Sequence, residues 1–156
     1  MPLLTLTQIV QTVKTDTFTT NADVFTDVTG LSVVITPTAN TSSVWVLGNV
    51  AAGASGSGNP IYFRVTRDGT PIFVGDAAGA RLQCSGAVGH HFPGNPTNWT
   101  FNFLDAPATI LPVTYQIQVV DPAIGGPCYI NRTSTDTDNT LFGRSTSSIT
   151  VIEVGI

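Results

Sequence analysis

An all-β chain folded as an antiparallel β-sandwich is the fold class this sequence predicts, on three observations. Apolar residues recur with a period of two and never hold helical spacing over three turns. Clusters of Pro, Gly, Asn and Ser punctuate the chain about every ten residues, as they do between the short strands of sandwiches and barrels. Good helix formers are scarce, with one Lys, one Glu and one Met in 156 residues. That length suits a single domain burying roughly 70% of the surface its unfolded chain would expose. No internal repeat or linker divides it.

The elements follow in chain order. Leu3, Leu4, Leu6, Ile9, Val10 and Val13 lie in a background of Thr and Gln with no Gly. Residues 1–14 therefore read as an N-terminal arm or edge strand, and residues 15–156 as the sandwich proper. Extended, such an arm would span about 45 Å at ~3.3 Å per residue. Leu31 to Thr36 predicts a strand ended by Pro37, and Val44 to Ala51 a strand ended by a Gly/Ser loop from Gly53 to Pro60. Ile61 to Arg67 alternates apolar and polar residues, Asp68-Gly69 supplies a turn, and Pro71 to Gly75 returns as the second arm of a hairpin. Arg81 to Ser85 predicts a further strand, followed by a Gly, His and Pro loop to about Asn98. Trp99, Phe101 and Phe103 share one face of a strand with Thr100 and Asn102 on the other, and Tyr115 to Val119 repeats this with Gln116 and Gln118 outward. Ser148 to Val154 closes the chain.

Composition narrows the function. Only 10% of residues are charged, against about 25% in an average soluble domain. Acid–base catalysis, metal binding and nucleic-acid binding all draw on charged or His side chains. With a net charge of −4 and five scattered arginines (Arg64, Arg67, Arg81, Arg132, Arg144), no nucleic-acid partner is expected. No run reaches the ~18 apolar residues of a membrane span, and the start lacks the positive flank of a signal peptide, so no membrane partner is expected either. Outside secretion, Asn40, Asn98 and Asn131 read as chance glycosylation motifs in a Thr-rich chain. Cys84 and Cys128 sit in strand-like contexts and read as buried free thiols.

Candidate chemical sites fare poorly. His90-His91 are neighbours, which on a strand point to opposite faces, so they read as loop surface. A site formed only where three chains bring one His each to an axis stays open beside that reading. Asp136-Thr137-Asp138-Asn139 alternates oxygen ligands but lacks the Gly and bidentate Glu of an EF-hand loop, and Thr/Asp/Asn runs are ordinary turn material. The tract Gly53 to Gly58 lacks the Lys of a phosphate loop. No Gly-x-Ser-x-Gly and no carboxylate pair stands out. The sequence therefore predicts no enzyme, no catalytic residue, no metal site and no cofactor. Trp99 alternates with Phe101 and Phe103 and belongs to the core. Trp45, facing opposite to Val44 and Val46, is the exposed or interface aromatic.

Several turn-and-strand patterns are shared with a known module: Gln11 to Phe18, Phe25 to Val33, Val65 to Ile72, Gly75 to Gly79, Phe103 to Ala108 and Tyr129 to Arg132. Over nearly its whole length the chain resembles a β-rich module of tailed-bacteriophage virion proteins, found especially in phages of cyanobacteria and aquatic bacteria. The resemblance implies a trimeric jelly roll serving either as a capsid cement (decoration) protein or as the distal tip of a tail fibre that recognises host glycan. The chain begins at Met1 and has no shaft or coiled-coil heptads, which favours cement. The expected partners are then the major capsid protein and two further copies of the chain as a homotrimer. The expected location is the capsid surface of the virion, after synthesis in the host cytoplasm. Capsid or subunit contact is expected at Leu3, Leu4, Leu6, Ile9 and Trp45.

Overall fold

The computed structural model describes residues 5–55, 60–89, 96–122 and 126–155, all of them in strands, turns and irregular segments. Eleven strands follow in order: β1 (Thr5–Lys14), β2 (Phe18–Thr20), β3 (Thr26–Ile35), β4 (Ser43–Ala54), β5 (Pro60–Arg67), β6 (Thr70–Ile72), β7 (Gly86–Gly89), β8 (Thr97–Asp105), β9 (Val113–Val120), β10 (Cys128–Ile130) and β11 (Ser147–Gly155). They form two antiparallel sheets. Sheet A runs β1-β11-β4-β8, with the short β10 and β2 continuing beyond β11 along the same edge of β4. Sheet B runs β3-β9-β5, with β6 and β7 sharing the far edge of β5. The chain crosses between the sheets at β1–β3–β4–β5 and again at β8–β9–β11. A six-stranded and a five-stranded antiparallel sheet wound in this way form a jelly roll.

The core lies between the sheets. Val44, Val46, Ile149 and Val151 from sheet A meet Val33, Phe63, Val65, Tyr115 and Ile117 from sheet B, all essentially without exposure. The period-two patterns read from the sequence put these residues inward. Trp99 stacks between Phe63 and Phe101, at 5.0 and 4.5 Å between ring centroids. A Cβ on Gly86 would sit 2.2 Å from the Trp99 indole nitrogen, so β7 crosses this aromatic stack only because that position has no side chain.

Three polar devices hold the ends together. Arg67 donates to both oxygens of Asp105 at 2.8 Å and the buried Tyr115 hydroxyl donates to the same carboxylate at 2.7 Å, linking β5 and β9 to the end of β8. Burial first, then the neighbouring Asp105 carboxylate, pushes the Tyr115 hydroxyl well above its ordinary pKa. Gln116 donates to the carbonyls of Val28 and Leu31, satisfying backbone freed where β3 bulges between Asp27 and Ser32. Asn131 donates to the carbonyls of Lys14 and Asp16 and accepts from Ser147, tying β1's end to the start of β11.

Some expectations need correction. Residues 81–85 form no strand: Arg81, Leu82 and Gln83 are exposed, and the paired segment is β7, which begins at Gly86. The hairpin turn at Asp68-Gly69 is as expected, both residues having positive φ as a tight two-residue turn requires. Its return strand, however, ends at Ile72, because Phe73 takes a φ of 52° and swings out to stack on Phe103. Gly53 and Ala54 belong to β4 and Pro60 to β5 rather than to the loop between them, and residues 56–59 of that tract lie outside the described residues. Cys128 is buried, and burial raises its thiol pKa; Cys84 is only half-buried.

Candidate functional site

The outward face of sheet A is built by register. Ile9 on β1 pairs with Ile152 on β11, Ile152 with Trp45 on β4, and Trp45 with Leu104 on β8. These four side chains form one apolar row across the whole sheet. Its ends are the most open, with Ile9 62% and Leu104 63% exposed, and Trp45 is 42% exposed. Trp45, Leu104 and Val154 border a shallow depression of about 340 Å³ with Asn102 and Phe103.

A β-bulge extends the patch. The register between β1 and β11 shifts between Leu6 and Gln8, so Leu6 pairs with Val154 and joins Ile9 on the outward face, where strict alternation would have turned it inward. Gln8 then points inward and donates to Glu153 Oε2 at 2.6 Å. Glu153 has no exposed surface, and its other oxygen accepts from the Thr38 backbone N–H and hydroxyl, each at 2.7 Å. Burial pushes this carboxyl up, but hydrogen bonds from Gln8, Ser42 and Thr38 outweigh it and hold the pKa down at about 2. A fully ionised carboxylate thus fixes both the bulge and the turn between β3 and β4.

Polarity changes along the sheet. The next rows are Gln11, Thr150, Leu47 and Asn102, then Val13, Ser148, Asn49 and Thr100. Here the polar groups pair with one another: Gln11 with Thr150 at 2.8 Å and Ser148 with Asn49 at 2.9 Å. The apolar row has no such pairs, and none of these outward residues is charged. The loop leaving β8 at the apolar end adds exposed Ile110 and Leu111.

Leu6, Ile9 and Trp45, expected as contact residues, therefore share one face, while Leu3 and Leu4 lie outside the described residues. Leu104, Ile152 and Val154 were missed. Each lies on the outward parity of a strand whose earlier outward residues are polar, so the change from polar to apolar along Thr100-Asn102-Leu104 and Ser148-Thr150-Ile152 was the available signal. His90 and His91 also fall outside the described residues. Among the described residues no group of three or more His, Cys, Asp or Glu could hold a metal ion. Asp136 pairs with Arg144 at 2.7 Å and Arg132 at 3.4 Å.

No protein-family model and no curated protein matches the chain. Solved structures do. An infectious bursal disease virus structure of the Gt strain superposes with a TM-score of 0.50 at 14% identity, covering 94% of this chain and 40% of that one. The likeness is one of fold. A mutant VP2 protein of the same virus, in derived T=1 particles, superposes at 0.48 with 14% identity, covering 94% of this chain and 39% of that one. The T13 viral particle gives 0.47 at 11% identity, over 94% and 38%. This chain thus spans about two fifths of the length of those chains.

Proposed function

We propose that this protein is a structural component of a virion, a cement protein of a tailed bacteriophage that binds the outer capsid as a homotrimer and carries out no catalysis. The observation that carries the reading is the uncharged apolar row of Ile9, Ile152, Trp45 and Leu104, left open across the full width of a sheet whose opposite side is already committed to the core. A likeness of fold to structures of virus particles supports it. The sequence resemblance to tailed-phage virion modules supports the finer assignment.

The mechanism is one of linkage. A protein that binds the assembled lattice and not its separated subunits stabilises the lattice by mass action. The apolar end of sheet A supplies the adhesive, at roughly 25 cal/mol per Å² withdrawn from water. A threefold arrangement places three such patches on one attachment, so that moderate contacts add to a tight one.

Two measurements test this. Light scattering of the purified protein is expected to give about three times the 16.3 kDa chain mass; a monomer overturns the trimer. Quantitative mass spectrometry of virions is expected to give copy numbers on the order of hundreds, as an icosahedral lattice demands. Roughly a dozen copies would place the protein on the tail and replace cement with the fibre-tip reading.

A further inference from the structure

At the end of the sandwich opposite the apolar row, β10 is joined to β11 by a sixteen-residue connection, 131–146. Seven residues of β11 separate this loop from Val154, about 24 Å of strand. Connections of this length are uncommon in compact domains and are usually functional or disordered. This one is ordered and closed at its neck, where Ser145 N–H donates to the Asn131 carbonyl at 3.0 Å. It has the form of an Ω-loop.

The geometry points to a saccharide-binding site in this loop. Asp136, Thr137, Asp138, Asn139, Phe142 and Arg144 line a cavity of about 370 Å³, at the lower end of small-molecule sites. Its charges decide the class of ligand. The loop carries two arginines and two aspartates, and its net charge is zero. Asp136 is committed to Arg144, with both oxygens at 2.7 and 2.9 Å, and to Arg132 at 3.4 Å. A phosphate would compete with Asp136 for both guanidinium groups, and a metal ion would find only Asp138 uncommitted.

What remains are neutral-ligand contacts. The exposed Asp138 carboxylate enters none of these pairs and accepts hydrogen bonds. Asn139 spends its Oδ1 on the Leu141 N–H at 2.9 Å, leaving its Nδ2 to donate. The Thr137 hydroxyl does both, and the half-buried Phe142 ring offers an apolar surface. Alternating donors and acceptors beside one aromatic ring match vicinal hydroxyls on one face of a sugar and C–H groups on the other.

This inference is independent of the attachment reading, since no residue of the loop belongs to the outward face of sheet A. Saturation-transfer NMR on the full chain tests it with three probes: methyl α-mannoside, methyl β-galactoside and methyl N-acetyl-β-glucosaminide. Transfer to at least one probe is expected, weakened at least tenfold in both Asp138→Ala and Phe142→Ala and kept in Trp45→Asp. Melting temperatures of the three variants establish that each is folded; Phe142→Leu stands in should Phe142→Ala not fold. No transfer to any probe overturns the proposal, as does transfer unchanged in Asp138→Ala or lost only in Trp45→Asp.

Discussion

Asp27, Gln118 and Arg64 form a cross-strand row on the outward face of sheet B, as Ile9, Ile152, Trp45 and Leu104 do on sheet A. The first row closes on itself. Gln118 donates to Asp27 at 2.7 Å, Arg64 donates to Gln118 at 2.6 Å, and the Arg64 guanidinium covers Phe25 at 4.1 Å. The second row offers water one indole N–H and otherwise hydrocarbon. Single apolar side chains on a surface need no explanation. Four of them aligned by register, joined by Leu6 through a bulge and followed on one side by rows whose polar groups pair with one another, make a patch of the kind that marks an interaction surface. The Asp27, Gln118 and Arg64 row faces solvent with its polar groups paired, and sheet A holds a surface that gains about 1 kcal/mol or more for each large side chain that a partner covers.

The largest expected effect breaks the second face. Trp45→Asp combined with Leu104→Asp puts two charges at the centre and edge of the row. Capsid binding, measured by co-sedimentation with undecorated particles, is expected to fall about a thousandfold, since interface anchors contribute 2 kcal/mol or more each. The melting temperature should move little, because both side chains face outward. Binding that survives the double change removes sheet A as the attachment face. Shortening the chain by the first ten residues would be a poorer test, because Gln8 and Val10 face inward and their loss takes half of an edge strand from the sheet.

Next in size is the carboxylate behind the patch. Glu153→Ala leaves the Thr38 N–H, the Thr38 hydroxyl and one N–H of the Gln8 amide, whose other bond is to the Thr36 carbonyl, without their acceptor, and is expected to cost about 3 kcal/mol in urea unfolding. The pH dependence has a definite sign. The folded carboxyl has its pKa lowered to about 2 from an ordinary 4.5, so its contribution is complete above 4.5 and is lost as pH falls from there toward 2. The stability gap between wild type and variant should therefore be constant from pH 5 to 7 and narrow below pH 4.5. A gap that stays constant down to pH 2.5 would show that the ionised form is not what holds the bulge.

Asp105→Asn comes third. Arg67 and the buried Tyr115 hydroxyl both lose a charged acceptor there, at an expected cost of about 2 kcal/mol. The β8 end of the apolar row loosens with it, so capsid binding should weaken modestly while the Ile9 side is unaffected. Equal loss of stability in Asp105→Asn and in the double variant Arg67→Ala/Asp105→Asn would confirm that Arg67 acts through its contact with Asp105.

How legible was all this in the sequence? Local alternation was enough for the hairpin at Ile61–Arg67 and for the facing of Trp99 to Phe103 and Tyr115 to Val119, because a period of two needs only neighbours along the chain. Trp45 was singled out by the same parity. What parity cannot supply is pairing between distant segments. Ile9, Trp45, Leu104 and Ile152 meet through three strand registers that span nearly the whole chain. Nothing in the sequence marks Glu153 as buried, because its partner Thr38 is 115 residues away. The bulge at Leu6 breaks the alternation that would have separated it from Ile9. At Arg81–Ser85, residues plausible for a strand lost to Gly86–Gly89, where packing against Trp99 favours a small residue over β propensity.

The smallest expected effect sharpens the comparison from the other side. Arg64→Ala removes a half-exposed guanidinium from sheet B, with its contact to Gln118 and its cover over Phe25. Both interactions face solvent, where such pairs are worth roughly 0.5–1 kcal/mol. Stability is expected to drop by no more than that, with the loss shrinking in high salt for the Coulomb part. Capsid binding should be unchanged, because Arg64 and its partner Gln118 lie on the outward face of sheet B, away from the apolar row. A fall in binding as large as that of the Trp45 and Leu104 double change would mean that the polar face is the one a partner reads. The sealed network of Asp27, Gln118 and Arg64 would then be the recognition element, and the open hydrocarbon on sheet A would be left for contact between copies of the chain.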